Sequence, residues 1–241
     1  MKKLIILFII LSNALLAQEI KTELIYKFNK PTKKSDKTPV VILLHGYGSN
    51  ESDLFEICKS FDPKFMTFSL RGPYKSSGFD GASWYDLKRN NNEMSHNYTE
   101  VSNSRNKILS FISHACKAYH LDSTQVFLIG FSQGAIMCYD LAFRNSNKIK
   151  GIAALSGLLL EETKKQKNKT SELLKVNYFI AHGSMDNVIS IKESQDVSKY
   201  LTEIKARLTY KEYEIPHSIN GSELNDINAW LRSNLKSEKK K

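Results

Sequence analysis

Six short runs along the chain read as strands, all but the last of them apolar at more than half of their positions. TPVVILLHG (38–46) is rich in valine and isoleucine, which suits a strand buried on both faces. KFMTFSL (64–70), QVFLIG (125–130), IKGIAALSG (149–157), VNYFIAHG (176–183) and ARLTYKEYE (206–214) predict further strands. Between these runs the apolar positions fall at threes and fours. SNESDLFEICKSF (49–61) carries helix-like spacing, and from Thr99 a helix lines up Ile108, Phe111, Ile112, Ala115 and Tyr119. QGAIMCYDLAFRN predicts the next helix. SIKESQDVSKYLTEI opens on a Ser190–Glu193 capping box, and a last helix over about 221–235 aligns Leu224, Ile227, Leu231 and Leu235. Residues 71–97, dense in Gly, Ser, Asn and aromatics, predict an irregular segment.

Strands that alternate with helices need crossover connections and imply an α/β fold with a mostly parallel sheet. No repeat or linker divides the chain. The pattern predicts one domain over 38–235, a lead-in segment over 18–37 and a basic, disordered tail over 236–241.

The start of the chain changes the picture of where it works. MKKLIILFIILSNALLAQ has two lysines, an apolar run and small residues before Gln18. That is the layout of a secretory signal peptide over 1–17, cut after Ala17, and it predicts a secreted or periplasmic protein. The run is shorter than the roughly 20 apolar residues of a membrane span, so no stable membrane insertion is expected. The formal charge of +10 is concentrated in KPTKKSDK, KKQKNK and KSEKKK, which read as solvated loops and tail. Nothing interleaves aromatics with basic residues as a nucleic-acid platform would, so no nucleic-acid partner is expected. Cys58, Cys116 and Cys138 are odd in number and each sits in an apolar pattern, which favours no essential disulfide.

In a parallel sheet the ligand site lies beyond the carboxyl ends of the strands. Ser132, Asp186 and His217 follow three of the predicted strands, in that chain order. A serine hydroxyl becomes a good nucleophile when an imidazole accepts its proton, and the imidazole needs a carboxylate to hold its tautomer. Ser132 lies in GFSQGA, between Gly130 and Gly134, where a strand gives way to a helix. Serine, acid, histidine is the order of α/β hydrolases, and the setting is that of a nucleophile elbow. The loop LLHGYGSN after the first long strand nominates the Tyr47 N–H, together with that of Gln133, as an oxyanion hole. His45 and His182, each before a glycine at a strand end, read as structural hydrogen-bonders lining the site. His45, Trp84, Tyr85 and Met185 are candidates for the substrate pocket, with Trp84–Tyr85 read either as core or as pocket wall. His96, His114 and His120 show no ligand spacing with any acid or cysteine, so no metal is expected.

LLHGYGSNESDL, LRGPY, SWYD, GFSQGA, ALSG, HGSMDNVI and YEIPHSI stand in the order found in the phospholipase/carboxylesterase family of α/β hydrolases. The chain resembles that family over about residues 38–233, with GFSQGA and HGSMDNVI the most specific pieces. The resemblance implies a central, mostly parallel sheet with helices on both faces and no separate lid domain. It implies Ser132 as nucleophile, Asp186 as orienting acid, His217 as base, and Tyr47 and Gln133 at the oxyanion hole, with no cofactor. Pro216 departs from the glycine usual before the histidine, and the secretion signal departs from the family's thioesterases, which work inside cells.

These residues predict a serine carboxylesterase that forms an acyl-enzyme. Its substrate would be a small-molecule or polymer-linked ester, with a lean toward polysaccharide-linked or short-chain acyl esters. Lysophospholipase or thioesterase activity, and a non-catalytic binding protein on the same fold, are the alternatives. Oligomeric state is left open by the sequence.

Overall fold

The computed structural model describes residues 20–33, 35, 37–78, 80–90 and 93–235. The expected signal peptide (1–17) and basic tail (236–241) lie outside the described residues. In chain order the strands are β1 (Tyr26–Asn29), β2 (Thr38–Leu44), β3 (Met66–Leu70), β4 (Tyr74–Lys75), β5 (Ala82–Ser83), β6 (Leu87–Asn90), β7 (Glu93–His96), β8 (Leu121–Phe131), β9 (Gly151–Leu155), β10 (Asn177–Gly183) and β11 (Arg207–Tyr213). The helices are α1 (Tyr98–Ala118), α2 (Gln133–Arg144), α3 (Glu161–Lys165), α4 (Thr170–Leu173), α5 (Ile191–Glu203) and α6 (Gly221–Ser233).

Seven strands form one sheet in the order β1-β3-β2-β8-β9-β10-β11. All pairs are parallel except β1 with β3, so the mostly parallel sheet is as the sequence predicts. Side chains alternate along each strand, and the two faces have separate cores. Val40, Ile42, Leu44, Leu128, Ile152 and Ile180 face α1, α2 and α5. Val41, Leu43, Phe127, Ile129, Phe179 and Ala181 face α6 and a 3-10 turn at Phe55–Ser60. Trp230 of α6 closes the second face, edge-on to Phe127 at 5.8 Å between ring centroids. This is the continuous apolar composition expected of strands covered on both sides. No separate lid domain stands over the sheet among the described residues.

Several local expectations are corrected. The helix predicted over 49–61 is a set of turns and the short 3-10 element, because Asn50 Oδ1 accepts the Ser52 N–H and competes with helical bonding. The irregular 71–97 segment contains two small antiparallel ribbons, β4–β5 and β6–β7. The lead-in segment holds an edge strand, β1, too short and half-covered to stand out as an apolar run. The strand expected over 125–130 extends from Leu121 to Phe131. Two short helices, α3 and α4, occupy what reads in sequence as a basic loop. Cys58, Cys116 and Cys138 are free and buried.

Helix α6 begins immediately after the loop that carries His217. Asn220 caps it by accepting the Glu223 N–H at 2.8 Å, and the Asn220 N–H bonds back to the Glu223 carboxyl. Glu223 is buried, and its Oε2 has no partner among the described residues. Burial pushes its pKa up to about 7, against the opposing effect of the Asn220 N–H. The folded pKa therefore lies above the unfolded value, so the protonated form contributes stability that is complete below about pH 4.3 and lost as pH rises through 7. Glu223→Gln keeps the cap and removes the charge. Urea titrations from pH 4.5 to 8 are expected to show the variant more stable than wild type by about 3–4 kcal/mol at pH 8. The two should converge near pH 4.5.

Candidate active site

β2, β8, β10 and β11 run parallel, so the loops that follow them meet at one edge of the sheet. The first of these features is the turn from β8 into α2. Ser132 has φ 53° and ψ −116°, a conformation that a non-glycine residue adopts only when its surroundings enforce it. The enforcement is backbone against backbone. A Cβ at Gly134 would overlap the carbonyl oxygen of Leu44, and one at Gly130 would overlap the carbonyl of Gly134. Ser132 occupies the N-cap position of α2, yet its side chain caps nothing. The hydroxyl is therefore left for other chemistry, at the positive end of the helix dipole.

The loop after β2 faces this elbow and is pinned by buried polar bonds. His45 Nε2 accepts the Gly72 N–H at 2.9 Å, so Nδ1 carries the proton and donates to Gly46 O at 2.7 Å. Burial lowers the His45 pKa, which keeps this neutral tautomer in place. The Trp84 indole N–H donates to His45 O at 2.9 Å. Gln133 then ties the same segment to the elbow: its Oε1 accepts the Trp84 N–H and its Nε2 donates to Tyr85 O, both at 2.8 Å. Sequence reading nominated only the backbone of Gln133; the bridging role of its side chain depends on residues 48 and 49 positions away. The Tyr47 hydroxyl accepts the Ser77 N–H at 2.8 Å and anchors the tip of the loop.

The acid and base come from the loops after β10 and β11. Asp186 Oδ1 accepts the N–H groups of Val188 and Ile189 at 2.9 and 3.0 Å, and Oδ2 lies 2.6 Å from His217 Nδ1. Burial alone would raise the Asp186 pKa. The His217 hydrogen bond and the two backbone donors outweigh it and hold the carboxyl below its ordinary value. With Nδ1 engaged, the His217 Nε2 remains for a proton from a nucleophile. The imidazole packs on Phe131, the residue before Ser132, with ring centroids 4.7 Å apart. Among the described residues no hydrogen bond joins Ser132 Oγ to His217, and such contacts commonly close when substrate is bound.

The pocket nominations divide. His45, Trp84 and Tyr85 are fully buried and hold the loop from behind, so they are core and not pocket wall. The bonds above take up the His45 ring and the Trp84 indole N–H, and the Tyr85 hydroxyl lies 3.2 Å from His96 Nδ1. Met185 is 59% exposed and Val188 62%, flanking Asp186 at the open side of the site. A cleft of about 360 Å³ lies beside the β2 loop, lined by Asn50, Arg71, Tyr74, Lys75 and Ala82 among others. It includes neither Ser132 nor His217. No group of three or more potential metal ligands occurs among the described residues.

Gly183 is where the acid and base loops touch: a Cβ there would overlap the carbonyl oxygens of Ile215 and Pro216. Gly183→Ala is expected to push the His217 loop away from Asp186 while leaving the sheet intact. Ester hydrolysis should fall about 10²-fold, the penalty typical of a misplacement near 1 Å, with an unchanged far-UV circular dichroism spectrum.

Comparison with known proteins agrees with this architecture. Residues 30–235 match the family model described as Phospholipase/Carboxylesterase. The chain is 26% identical over 229 residues to acyl-protein thioesterase 1 of Yarrowia lipolytica, covering 84% of this chain and 95% of that one. It is 22% identical over 206 residues to the putative hydrolase MhqD of Bacillus subtilis, covering 83% and 96% respectively. The crystal structure of the Bacillus cereus carboxylesterase superposes with a TM-score of 0.76 at 24% identity, over 89% of this chain and 96% of that chain. The protein belongs to the phospholipase/carboxylesterase family of α/β hydrolases.

Proposed function

We propose that the protein is a serine carboxylesterase using Ser132, His217 and Asp186, exported by its N-terminal segment and acting on polysaccharide-linked or short-chain acyl esters. The observation that carries the catalytic part is the meeting, at one sheet edge, of two features. One is a strained serine whose hydroxyl caps nothing. The other is an imidazole held through Nδ1 by a buried carboxylate at 2.6 Å.

In this reading Ser132 Oγ adds to the ester carbonyl carbon as its proton passes to His217 Nε2. The N–H groups of Tyr47 and Gln133 stabilise the oxyanion of the tetrahedral intermediate, each such donor being worth about 3 kcal/mol. Collapse breaks the bond to the alcohol oxygen, which leaves with the proton from Nε2. Water then gives a proton to Nε2 and adds to the acyl-enzyme; collapse releases the carboxylic acid, and Nε2 returns the proton to Oγ. Asp186 stays ionised and stabilises the imidazolium in both halves. Protonation of His217 before substrate arrives removes the base, so activity falls toward acid pH.

The second reading, thioester or lysophospholipid hydrolysis, uses the same residues. It is favoured by the similarity to acyl-protein thioesterase 1 of Yarrowia lipolytica and by the apolar side chains of Met185 and Val188 beside the acid.

Incubation with a fluorophosphonate followed by intact-mass measurement is expected to add one adduct to wild type and none to Ser132→Ala. The variant should lose about 10⁴-fold or more in hydrolysis of p-nitrophenyl acetate. A ratio of acetate to octanoate turnover well above one supports the short-chain reading, and a ratio well below one supports the second. A folded wild type that neither labels nor hydrolyses would return the protein to the binding-protein alternative.

A further inference from the structure

A second imidazole lies against the acid. His182, in β10, is 1% exposed, and its Nε2 lies 2.9 Å from the carbonyl oxygen of Ile189 and 3.3 Å from Asp186 Oδ2. Both neighbours are acceptors, so Nε2 carries the proton. Nδ1 is then a buried acceptor, and it has no hydrogen-bond partner among the described residues. An unpaired buried acceptor is a cost to the fold, and one that calls for an explanation. An apolar ring of similar size would fill the same space without it. What the histidine adds is a single N–H, and both atoms that N–H faces belong to the acid loop.

The same loop shows what that N–H accomplishes. Asp186 Oδ1 is held by two backbone donors inside the turn, which fixes one oxygen but leaves the carboxylate free to tilt about it. Oδ2 is the oxygen that must meet His217. His182 approaches it from within the sheet, while its bond to Ile189 O draws the end of the turn onto β10.

We propose that His182 is a positioning residue for the acid: it clamps the turn 186–189 to β10 and sets the direction in which Asp186 Oδ2 meets His217 Nδ1. The inference rests on the triad proposed above. The titratable groups facing this pair are His217, from the loop after β11, and Glu212, directly across the ladder from His182. Hydrogen bonds from Gln195 and Tyr210 hold the Glu212 pKa down, so it stays ionised through the neutral range. On the other flank β9 ends at Leu155, and Ser156 just after it donates its N–H to Ala181 O; neither side chain carries a charge.

His182→Phe tests the proposal, because it keeps a planar ring and removes both the N–H and the orphaned acceptor. The Tm is expected to remain near that of wild type. The kcat per fluorophosphonate-titrated site should fall about 10-fold to 100-fold with KM changed less than about 2-fold, since placement and not substrate contact is lost. Since the N–H points at Ile189 O, its gift to Asp186 is placement more than charge. A loosened carboxylate stabilises the His217 imidazolium less, so the acid limb of kcat/KM should move to lower pH by about 0.5 unit. His182→Gln, which can again present an N–H, should recover part of both effects.

A second readout needs no substrate: the downfield proton resonance of His217 Nδ1–H, expected to be sharp in wild type and shifted or broadened in His182→Phe. A Phe variant with wild-type kcat per labelled site, acid limb and resonance overturns the proposal and leaves His182 as filler. An upward shift of the acid limb overturns it too. A wild type that fails to label overturns the esterase reading instead, and the resonance then decides the role of His182 alone.

Discussion

Helix α2 lies on the sheet more closely than any side chain at position 134 would permit, and the candidate site depends on that approach. The backbone of Gly134 rests against the carbonyl of Leu44, and that of Gly130 against Gly134 itself. Because β8 turns into α2 with so little space, Ser132 is forced to φ 53° and its hydroxyl is lifted off the helix end. The cost of such a conformation is of the order of 1–3 kcal/mol, and the packed core on both faces of the sheet sustains it.

Buried polar groups convert this packing into a positioned site. His45, Trp84 and Gln133 have their polar edges satisfied by one another or by neighbouring backbone, which ties together the β2 loop, the 84–85 segment and the elbow. Beneath them Asp140 of α2 accepts from Arg105 of α1 at 2.7 Å and from Thr163 of α3 at 2.7 Å, a buried charge with its partners in place. Breaking one partner of such a network is costly, because the remaining group stays buried without compensation. For the proposed esterase such fixed placement matters, because the donors to a tetrahedral oxyanion have to be in position before the charge develops.

The other half of the site is built on different terms. Asp186 and His217 lie on successive crossings of the sheet, and their loops touch through Gly183 and the 215–216 backbone. One carboxylate oxygen answers to the turn, the other to two imidazoles. The open rim carries apolar Met185 and Val188, which give the acid side an apolar edge.

Much of this was legible in the chain itself. Strand and helix spacing predicted the parallel sheet, since apolar periodicity follows from local geometry, and GFSQGA marked the elbow because the close approach of backbone there excludes side chains. Ser132, Asp186 and His217 were nominated by their places after strands, and the structure brings Asp186 and His217 into contact. What the sequence left undecided turns on contacts between distant segments. Trp84 and Tyr85 read in sequence as core or pocket, and it is their complete burial, with Gln133 bonding their backbone, that makes them core; β1 does not stand out because a four-residue edge strand is defined by its partner β3. The helix expected over 49–61 gives way to turns where the Asn50 side chain bonds the Ser52 N–H in its place. Local periodicity and steric exclusion are written along the chain; which buried polar atom meets which is decided only when the fold brings them together.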